Sequence, residues 1–482
     1  MKLIYLCEIQ DFHEISIQLS FHPMQTTITP YNKNVILLVV ILTSFINPFL
    51  AGAVNIALPQ IASDLKMDAI TMSWVGMTFL LSSAVFLVPM GKIADIVGRK
   101  RIFLLGNVIV TLSSVLCAIS VSTPMLLISR VLQGIGGAMM FGTGMAIITS
   151  AFPIHERGKA IGIIVSSVYL GLSAAPLFGG ILTQYLGWRS LFYVTVPIGL
   201  FVIITTMVSL KTEWADAKGE KFDFVGSAIY MVFMSMLMVG ITKLPDPFAI
   251  AFTGIGLLGM IWFVRVELRT QFPVLNIQLF KSNRVFAFSN LAALINYFAT
   301  FAITFLLSLY LQYIKGFTPR DAGMILVIQP LVMTVFASFS GRLSDRYNSN
   351  VLSSVGMGII VVGLFLLTFI NGSTTNAYLM VCLILLGMGF GIFSSPNTNS
   401  IMSSVEKKYL GIASATVSTM RLTGQMLSMG IATLIMHLFI GETRNISAHS
   451  LQFMQSIHVS FIFFAGLCVL GVFASLARNK KA

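Results

Sequence analysis

Two arginines lie inside apolar segments that are long enough to cross a membrane. Arg130 lies near the start of one segment, and Arg421 lies near the middle of another. An arginine at membrane depth costs about 2.5–3.5 kcal/mol on insertion scales, so it normally faces a neighbouring helix, a cavity or a ligand. Arg130 could instead extend to the membrane surface. For Arg421 the alternative is a bond to backbone carbonyls between helices.

Acidic residues are missing from the interior of the apolar segments. All 17 Asp and Glu residues fall in loops, at segment ends or in the first part of the chain. A membrane-embedded site for organic cations usually contains a buried carboxylate, and so does a simple proton-exchange site. The sequence therefore predicts a site for neutral, zwitterionic or anionic ligands, with Arg421 on its wall.

Polar side chains accompany both arginines at helical spacing. Gln133 and Gly134 lie one turn beyond Arg130, and Gln425 lies one turn beyond Arg421. Residues at this spacing share a helix face. Further polar candidates in the apolar segments are Asn55, Asn296, Tyr297 and Gln329. For each amide considered alone, a hydrogen bond between helices is the expected role.

The composition is typical of a helical membrane protein. Charged residues are 10% and apolar residues 56% of the chain, with a mean hydropathy of +0.90, whereas soluble domains contain about 25% charged residues. The apolar runs are continuous over about 20 residues, which predicts spanning helices rather than barrel strands. Fourteen runs fall at about 34–58, 71–90, 102–121, 125–149, 160–184, 190–210, 224–242, 247–265, 285–311, 321–340, 351–371, 377–396, 410–438 and 453–476.

Motifs for enzymatic chemistry are not found in the sequence. It has no HExxH pair, no paired carboxylates inside the apolar runs and no nucleotide-binding loop, so we expect neither an enzyme nor a bound cofactor. The four cysteines lack the spacing of metal ligands. The net charge of +13 comes from short loops between apolar runs, which argues against a nucleic-acid partner. The expected partners are the lipid bilayer and a small molecule.

The distribution of basic residues predicts the orientation. With both termini in the cytoplasm, 22 of the 30 Lys and Arg residues lie on the cytoplasmic side, 6 lie outside and 2 lie within spans. Cytoplasmic loops carry an excess of Lys and Arg in multi-pass proteins. The asymmetry therefore predicts cytoplasmic termini.

An internal repeat predicts the domain organisation. The loop at 91–101 is similar to 341–350, and 156–162 is similar to 408–414, so the repeat period is about 250 residues, as in transporters built from two halves. The predicted parts are an N-terminal cytoplasmic extension at 1–33, a six-helix half at 34–210, a cytoplasmic linker at 211–223, two inserted helices at 224–265, a second linker at 266–284, a second six-helix half at 285–476 and a cytoplasmic tail at 477–482.

The segment 91–101 is a short charged junction between the second and third apolar runs. It predicts that these runs are antiparallel neighbours joined by a tight turn. Acidic groups among basic ones can form ion pairs there, and glycines permit close approach and positive φ. The residues expected to form this cluster, with its copy, are Gly91, Asp95, Gly98, Arg99, Arg101, Asp345 and Arg346. The alternative is a plain positively charged loop.

Several motifs resemble those of one transporter family at the corresponding spans. The segment 91–101 is similar to motif A of the major facilitator superfamily, and Arg130–Gly136 is similar to motif B. Gly171–Gly180 resembles the antiporter motif C, with Ala175 in place of the usual glycine. Val54–Pro59, Gly187–Arg189 and Pro273–Phe280 also read like this family. The chain, over 34–476, resembles the fourteen-span drug:proton antiporter-2 family.

This resemblance implies an all-α polytopic membrane protein with the major facilitator fold, made of two six-helix halves and two inserted helices. It implies a monomeric multidrug efflux protein of the plasma (inner) membrane, driven by a proton gradient. The alternative is a dedicated exporter of an anionic, zwitterionic or lipid-like metabolite. The family often has an acidic residue where this chain has Leu50, which weakens the expectation of cationic drugs.

The resemblance also implies roles for the motifs. The cluster at 91–101 would latch the two halves on the cytoplasmic side and break when the protein opens inward. Arg130 would take part in proton coupling. The small-residue face of motif C, formed by Gly171, Pro176, Gly179 and Gly180, would pack the fifth span closely and prevent leak. Ordinary helix packing would give the same small-residue face.

The predicted orientation can be tested with single cysteines in a background without native ones. A membrane-impermeant thiol reagent added outside cells should label Asp246→Cys and miss Thr212→Cys, because these positions lie in loops on opposite sides of the membrane. The opposite labelling pattern would exclude cytoplasmic termini.

Overall fold

The computed structural model describes residues 32–271, 273–275, 277–344, 347–406, 410–441, 443 and 446–478, although the side chains at 154, 155, 410 and 411 are left out. Its helices are α1 (Lys33–Asp64), α2 (Ala69–Val97), α3 (Arg99–Ala118), α4 (Thr123–Ala151), α5 (Ile154–Leu186), α6 (Ser190–Tyr193), α7 (Thr195–Ser209), α8 (Phe224–Lys243), α9 (Pro247–Glu267), α10 (Gln278–Ser282), α11 (Arg284–Thr300), α12 (Ala302–Leu309), α13 (Pro319–Leu326), α14 (Ile328–Leu343), α15 (Ser349–Leu367), α16 (Asn376–Ser403), α17 (Leu410–Ile440) and α18 (Ser450–Leu476). A π-helical turn, Tyr310–Ile314, follows α12, and a 3₁₀ turn, Ser447–His449, precedes α18.

The described residues contain 14 helical segments that are long and apolar enough to cross a membrane. This count confirms the predicted number of spans. The sixth span comprises α6 and α7, the ninth comprises α11, α12 and the π-helical turn, and the tenth comprises α13 and α14. The predicted N-terminal extension lies almost wholly outside the described residues.

The junction at 91–101 differs from the tight turn that we predicted. Helix α2 continues to Val97 and α3 begins at Arg99, so Gly98 alone separates the two helices. Gly98 has φ +131°, a conformation that favours glycine. Hydropathy marks where the apolar residues end, but a helix can continue into water with charged side chains. The charged residues therefore lie on helical turns.

The helices form two halves and an inserted pair. In the first half, α1 packs on α5, and α4 packs on both α2 and α3. In the second half, α16 packs on α14 and α15, while α11 packs on α17 and α18. The inserted helices α8 and α9 pack on each other, and α8 also contacts α2 and α17. The insert therefore contacts both halves.

The two halves meet closely at one end of the bundle. A Cβ added at Gly180 of α5 would lie 2.5 Å from the Pro319 carbonyl oxygen, and one added at Gly323 of α13 would lie 2.1 Å from that of Pro176. Ser308 Oγ also donates to the Asn55 carbonyl oxygen across 3.0 Å. These contacts lie away from the linker at 211–223. We call that end the opposite face and the end that carries the linker the linker face.

The halves separate toward the linker face. Gly158 and Gly162 lie on the α5 face that continues to Pro176 and Gly180. A Cβ added at either Gly158 or Gly162 would nevertheless meet no heavy atom of the described residues within 4 Å. Among the described residues, helix α5 thus touches the second half at one end and stands clear of it at the other. The space between the halves, which we call the central cleft, opens at the linker face.

The close contact between α5 and α13 can be tested at Gly323. Gly323→Ala should lower stability by about 1–3 kcal/mol, because a methyl group cannot fit without moving a helix backbone. The matched control is Gly466→Ala, where a Cβ meets no atom within 4 Å. The measurement is thermal unfolding of the purified protein in detergent. Equal melting temperatures for both variants would contradict the contact.

Candidate functional site

Arg130 is completely buried within the first half. Its Nε donates to the Val75 carbonyl oxygen of α2 at 2.9 Å, its Nη1 donates to Gln133 Oε1, and its guanidinium lies 4.7 Å from the centroid of the Phe79 ring. Gln133 Nε2 donates onward to Ser114 Oγ of α3 at 2.8 Å. The side chain faces neighbouring helices and does not extend to the membrane surface. These bonds join α4 to α2 and α3.

Gly134 contributes close packing to the same contact. A Cβ at this position would lie 1.9 Å from Ser82 Oγ and 2.4 Å from the Phe79 carbonyl oxygen. Among the described residues, no carboxylate pairs with Arg130. The arrangement around Arg130 and Gln133 is therefore a satisfied polar network between helices.

Arg421 has different surroundings from Arg130. It is half-buried on α17, and its guanidinium lies 5.3 Å from the centroid of the Phe141 ring of α4, in the other half. No hydrogen bond or ion pair to Arg421 is found within the part of the chain that the structure describes. Because α4 and α17 face each other between the halves, Arg421 borders the central cleft. Its donors are therefore available to a ligand.

Aromatic and hydroxyl groups complete this region of the cleft. Tyr169 of α5 and Ser394 of α16 bring their hydroxyl oxygens within 3.0 Å across the two halves. Arg421 and Tyr297 both lie in the neighbourhood of the Tyr169 hydroxyl. The Tyr297 ring packs edge-on against Phe390, with 5.4 Å between centroids. The sequence singled out Arg421 and Tyr297 but missed Tyr169, because nothing local marks an aromatic residue as facing a cleft.

The other predicted polar residues take separate positions. Gln425 and Gln329 are half-buried on α17 and α14. Asn55 is 4% exposed, and its Oδ1 would lie 3.5 Å from a Cβ at Gly76 of α2. The structure therefore does not gather all the candidate residues around one point.

The glycine-rich segment of α5 contacts two helices. A Cβ at Gly171 would lie 2.5 Å from the Phe45 carbonyl oxygen, and one at Gly179 would lie 2.8 Å from Ala53 Cβ, so these glycines face α1. Pro176 and Gly180 face α13 instead. Two small-residue faces of one helix thus allow close packing within the first half and between the halves.

The charged cluster at the linker face centres on Arg99. Arg99 Nη2 lies 2.7 Å from Asp95 Oδ1, and Nη1 lies 2.8 Å from Asp216 Oδ2 in the linker. Nη1 also donates to Ser150 Oγ of α4 at 2.7 Å. Asp95 and Arg99 thus pair as the sequence suggested. Asp345 and Arg346, the expected copy, lie outside the described residues.

The linker supplies partners that the sequence analysis missed. Glu220 Oε2 lies 2.6 Å from Lys92 Nζ, and Glu213 Oε2 lies 3.7 Å from Arg101 Nε. Glu213 Oε1 also accepts from the Lys100 backbone amide at 2.8 Å. The opposite charges of 91–101 and 211–223 could have indicated this pairing. By contrast, a Cβ added at Gly91 would meet no heavy atom of the described residues within 4 Å.

Two packed helical halves around a cleft that opens at one face define the class of the protein, a secondary transporter. The sequence profile described as Major Facilitator Superfamily matches residues 40–429, and the chain belongs to this family. It is a multi-pass membrane transporter rather than an enzyme, and transporters of this family carry small molecules.

Relatives cover most of the chain. The riboflavin transporter RibZ of Clostridioides difficile is 28% identical over 93% of this chain and 98% of its own length. The multidrug resistance protein Stp of Mycobacterium tuberculosis is 28% identical over 81% of this chain and 73% of its own length. The crystal structure of the human organic anion transporter MFSD10 shares the fold, with a TM-score of 0.65 at 15% identity, covering 92% of this chain and 99% of that one.

The role of Asp95 can be separated from that of the linker by comparing two partners of Arg99. Asp95→Asn should lower transport of a fluorescent substrate by up to about fivefold, because it removes the negative charge that pairs with Arg99 and a partly exposed ion pair contributes about 0–1 kcal/mol. Asp216→Asn should have a smaller effect, since the Asp216 side chain is 69% exposed. The measurement is efflux per membrane-inserted protein. Normal transport by Asp95→Asn at normal expression would reject the latch.

Proposed function

We propose that this transporter is an exporter of the plasma membrane, works as a monomer and is driven by the proton gradient. The excess of Lys and Arg in its loops supports placing the linker face and both termini in the cytoplasm. The cleft would then be open to the cytoplasm, where an exporter takes up its cargo.

The observation that carries the proposed cargo class is the unpaired guanidinium of Arg421 beside aromatic rings. A cation in a site of low dielectric repels other cations and attracts anions more strongly than in water. No described acidic residue lies deep in a spanning helix to offset it; Glu267, buried at the last residue of α9, lies in the insert. A planar aromatic molecule that is anionic or rich in hydrogen-bond acceptors fits this site. Its rings would stack on Tyr169 and Tyr297.

Two kinds of cargo fit this class: a broad range of molecules or one metabolite. Relatives named as multidrug resistance or antibiotic export proteins favour a broad range of amphipathic molecules. The relative named as a riboflavin transporter, which aligns along nearly its whole length, favours one metabolite instead. Riboflavin combines planar aromatic rings with several hydrogen-bond acceptors, so a single metabolite of this kind agrees with the chemistry around Arg421.

Alternating access would proceed by rocking of the two halves. The close contacts of α5 with α13 would open at the opposite face, while the cluster at 91–101 closes the linker face. Arg99 now binds groups of its own half and the linker, so closure would require a rearrangement of these ion pairs. Arg130 is held by α2 and α3 through neutral groups. Its proposed part in proton coupling would therefore act through the packing of these helices.

Proteoliposomes with an imposed pH gradient test the transport itself. Purified protein should move riboflavin or a similarly planar dye against its concentration gradient when protons flow in the opposite direction. Collapse of the gradient with a protonophore should stop this movement. Equal flux with and without the gradient would exclude proton-driven export.

Arg421 can be tested with two dyes and two substitutions. Wild type should export an anionic or zwitterionic aromatic dye well and a lipophilic cation of similar size poorly. Arg421→Ala should reduce export of the first dye by about tenfold or more, as expected for a lost charged contact of about 1.5–3 kcal/mol. Arg421→Lys, which keeps the charge, should retain part of the activity.

A thermal unfolding measurement serves as the control for Arg421. Because Arg421 has no hydrogen-bond partner among the described residues, neither substitution should change the melting temperature greatly. Robust cation efflux that does not depend on Arg421 would overturn the proposed selectivity. A large loss of stability would instead support a role in holding helices together.

A further inference from the structure

The two lateral seams between the halves differ in structure. One seam lies between α2 and α17, and the other lies between α5 and the helices α13 and α14. In a bundle built from two similar halves, the two seams would be expected to resemble each other. Only the first is accompanied by the inserted pair α8–α9.

The inserted pair covers the seam between α2 and α17. Tyr230 of α8 is 2% exposed, and its hydroxyl donates to the Ala84 carbonyl oxygen of α2 at 3.1 Å. On α17, a Cβ at Gly430 would lie 3.4 Å from Thr242 Cγ2 of α8. Every residue of α2 from 69 to 96 is buried or half-buried. Along α2, the residues at this seam are therefore at least partly covered.

Within the part of the chain that the structure describes, the seam between α5 and α14 is closed near the opposite face and not toward the linker face. Gly180 there packs against the α13 backbone, as described above. Toward the linker face, Gly158, Gly162 and Ser166 are exposed on the same side of α5. Ser166 Oγ donates to the Gly162 carbonyl oxygen of its own helix at 2.9 Å and not to the second half. Along this side, Tyr169 follows one turn further into the bundle.

We propose that the seam between α5 and α14 is a lateral opening through which cargo dissolved in the membrane leaflet at the linker face enters the central cleft. The inserted pair keeps the other seam closed, so entry from lipid occurs on one side of the molecule. The exposed side of α5 leads from Gly158 through Ser166 to Tyr169, and Arg421 lies beyond it. The role of this opening as a cargo route rests on the proposed export function.

The opening can be tested without any cargo by labelling two conservative variants. Ser166→Cys and Ala84→Cys lie about 18 Å and about 20 Å along their helices from the linker-face ends, at 1.5 Å per residue. The native cysteines are replaced, and the protein is reconstituted in nanodiscs. A lipid-dissolved pyrene maleimide and a water-soluble, membrane-impermeant thiol reagent are applied separately.

The expected result is that the lipid-dissolved reagent labels Ser166→Cys at least about tenfold faster than Ala84→Cys, because an enclosed site reacts only through local opening. If the water-soluble reagent labels Ser166→Cys and the lipid-dissolved reagent does not, the cleft is closed to lipid at this seam. That result would overturn the proposal. Comparable labelling of Ala84→Cys from lipid would show that the insert does not close its seam, and would also overturn it.

A second experiment tests the opening as a route. Gly162→Trp should slow the association of lipid-dissolved riboflavin tetrabutyrate by about fivefold or more, because this ligand enters through the seam. The association rate of water-soluble riboflavin should not change, because riboflavin enters the cleft from water. Gly254→Trp on α9, where a Cβ also meets no atom within 4 Å, is the matched control. The readout is quenching of flavin fluorescence. It records binding and does not require the halves to close.

The outcomes separate the route from the proposed function. Equal slowing by both tryptophan variants, or slowing of both flavins, would exclude the seam as the route. If wild type binds neither flavin, the proposed flavin-like cargo is wrong, and the maleimide labelling still decides whether the seam opens to lipid.

Discussion

A guanidinium group inside a membrane bundle must replace its lost hydration with contacts from the protein or from a ligand. Arg130 meets this requirement within the first half, through the Val75 carbonyl, Gln133 and the face of Phe79. Arg421 finds only the face of Phe141 among the described residues. The same chemical group therefore holds helices together at one position and remains available to a ligand at the other.

This division depends on how closely the helices approach. Glycines of α5 bring its backbone against α1 on one side and against α13 on another. These contacts hold the halves together at the opposite face in this conformation, and the cleft is open toward the linker face. The hydroxyl pair of Tyr169 and Ser394 and the contact of Arg421 with Phe141 lie between these ends. Close packing at one end thus places polar groups where a ligand can reach them.

The linker and the inserted helices add a second level of organisation. Acidic residues of the linker pair with Lys92, Arg99 and Arg101, so the basic groups at the linker face are engaged within the first half and the linker. These ion pairs are partly exposed, chiefly through their acidic partners in the linker for Lys92 and Arg99, and ion pairs near the surface contribute about 0–1 kcal/mol each. They can therefore exchange partners during a conformational change. The insert, in contrast, contacts both halves through α8, whose Tyr230, Met234 and Met238 are buried.

Much of the architecture follows from the sequence alone. Apolar runs separated by charged loops predicted fourteen spans, and the motif order predicted the family, because a lipid environment constrains helix length and composition directly. The arginines were recognised for the same reason. Hydropathy could not show that α2 continues through the charged residues to Val97, since helix ends depend on hydrogen bonding rather than polarity. It also could not show which groups surround Arg130 and Arg421, or pair Asp216 with Arg99. Those outcomes depend on contacts between residues that are more than 100 positions apart in the sequence, such as Lys92 and Glu220. Only the packed tertiary structure decides which residues make such contacts.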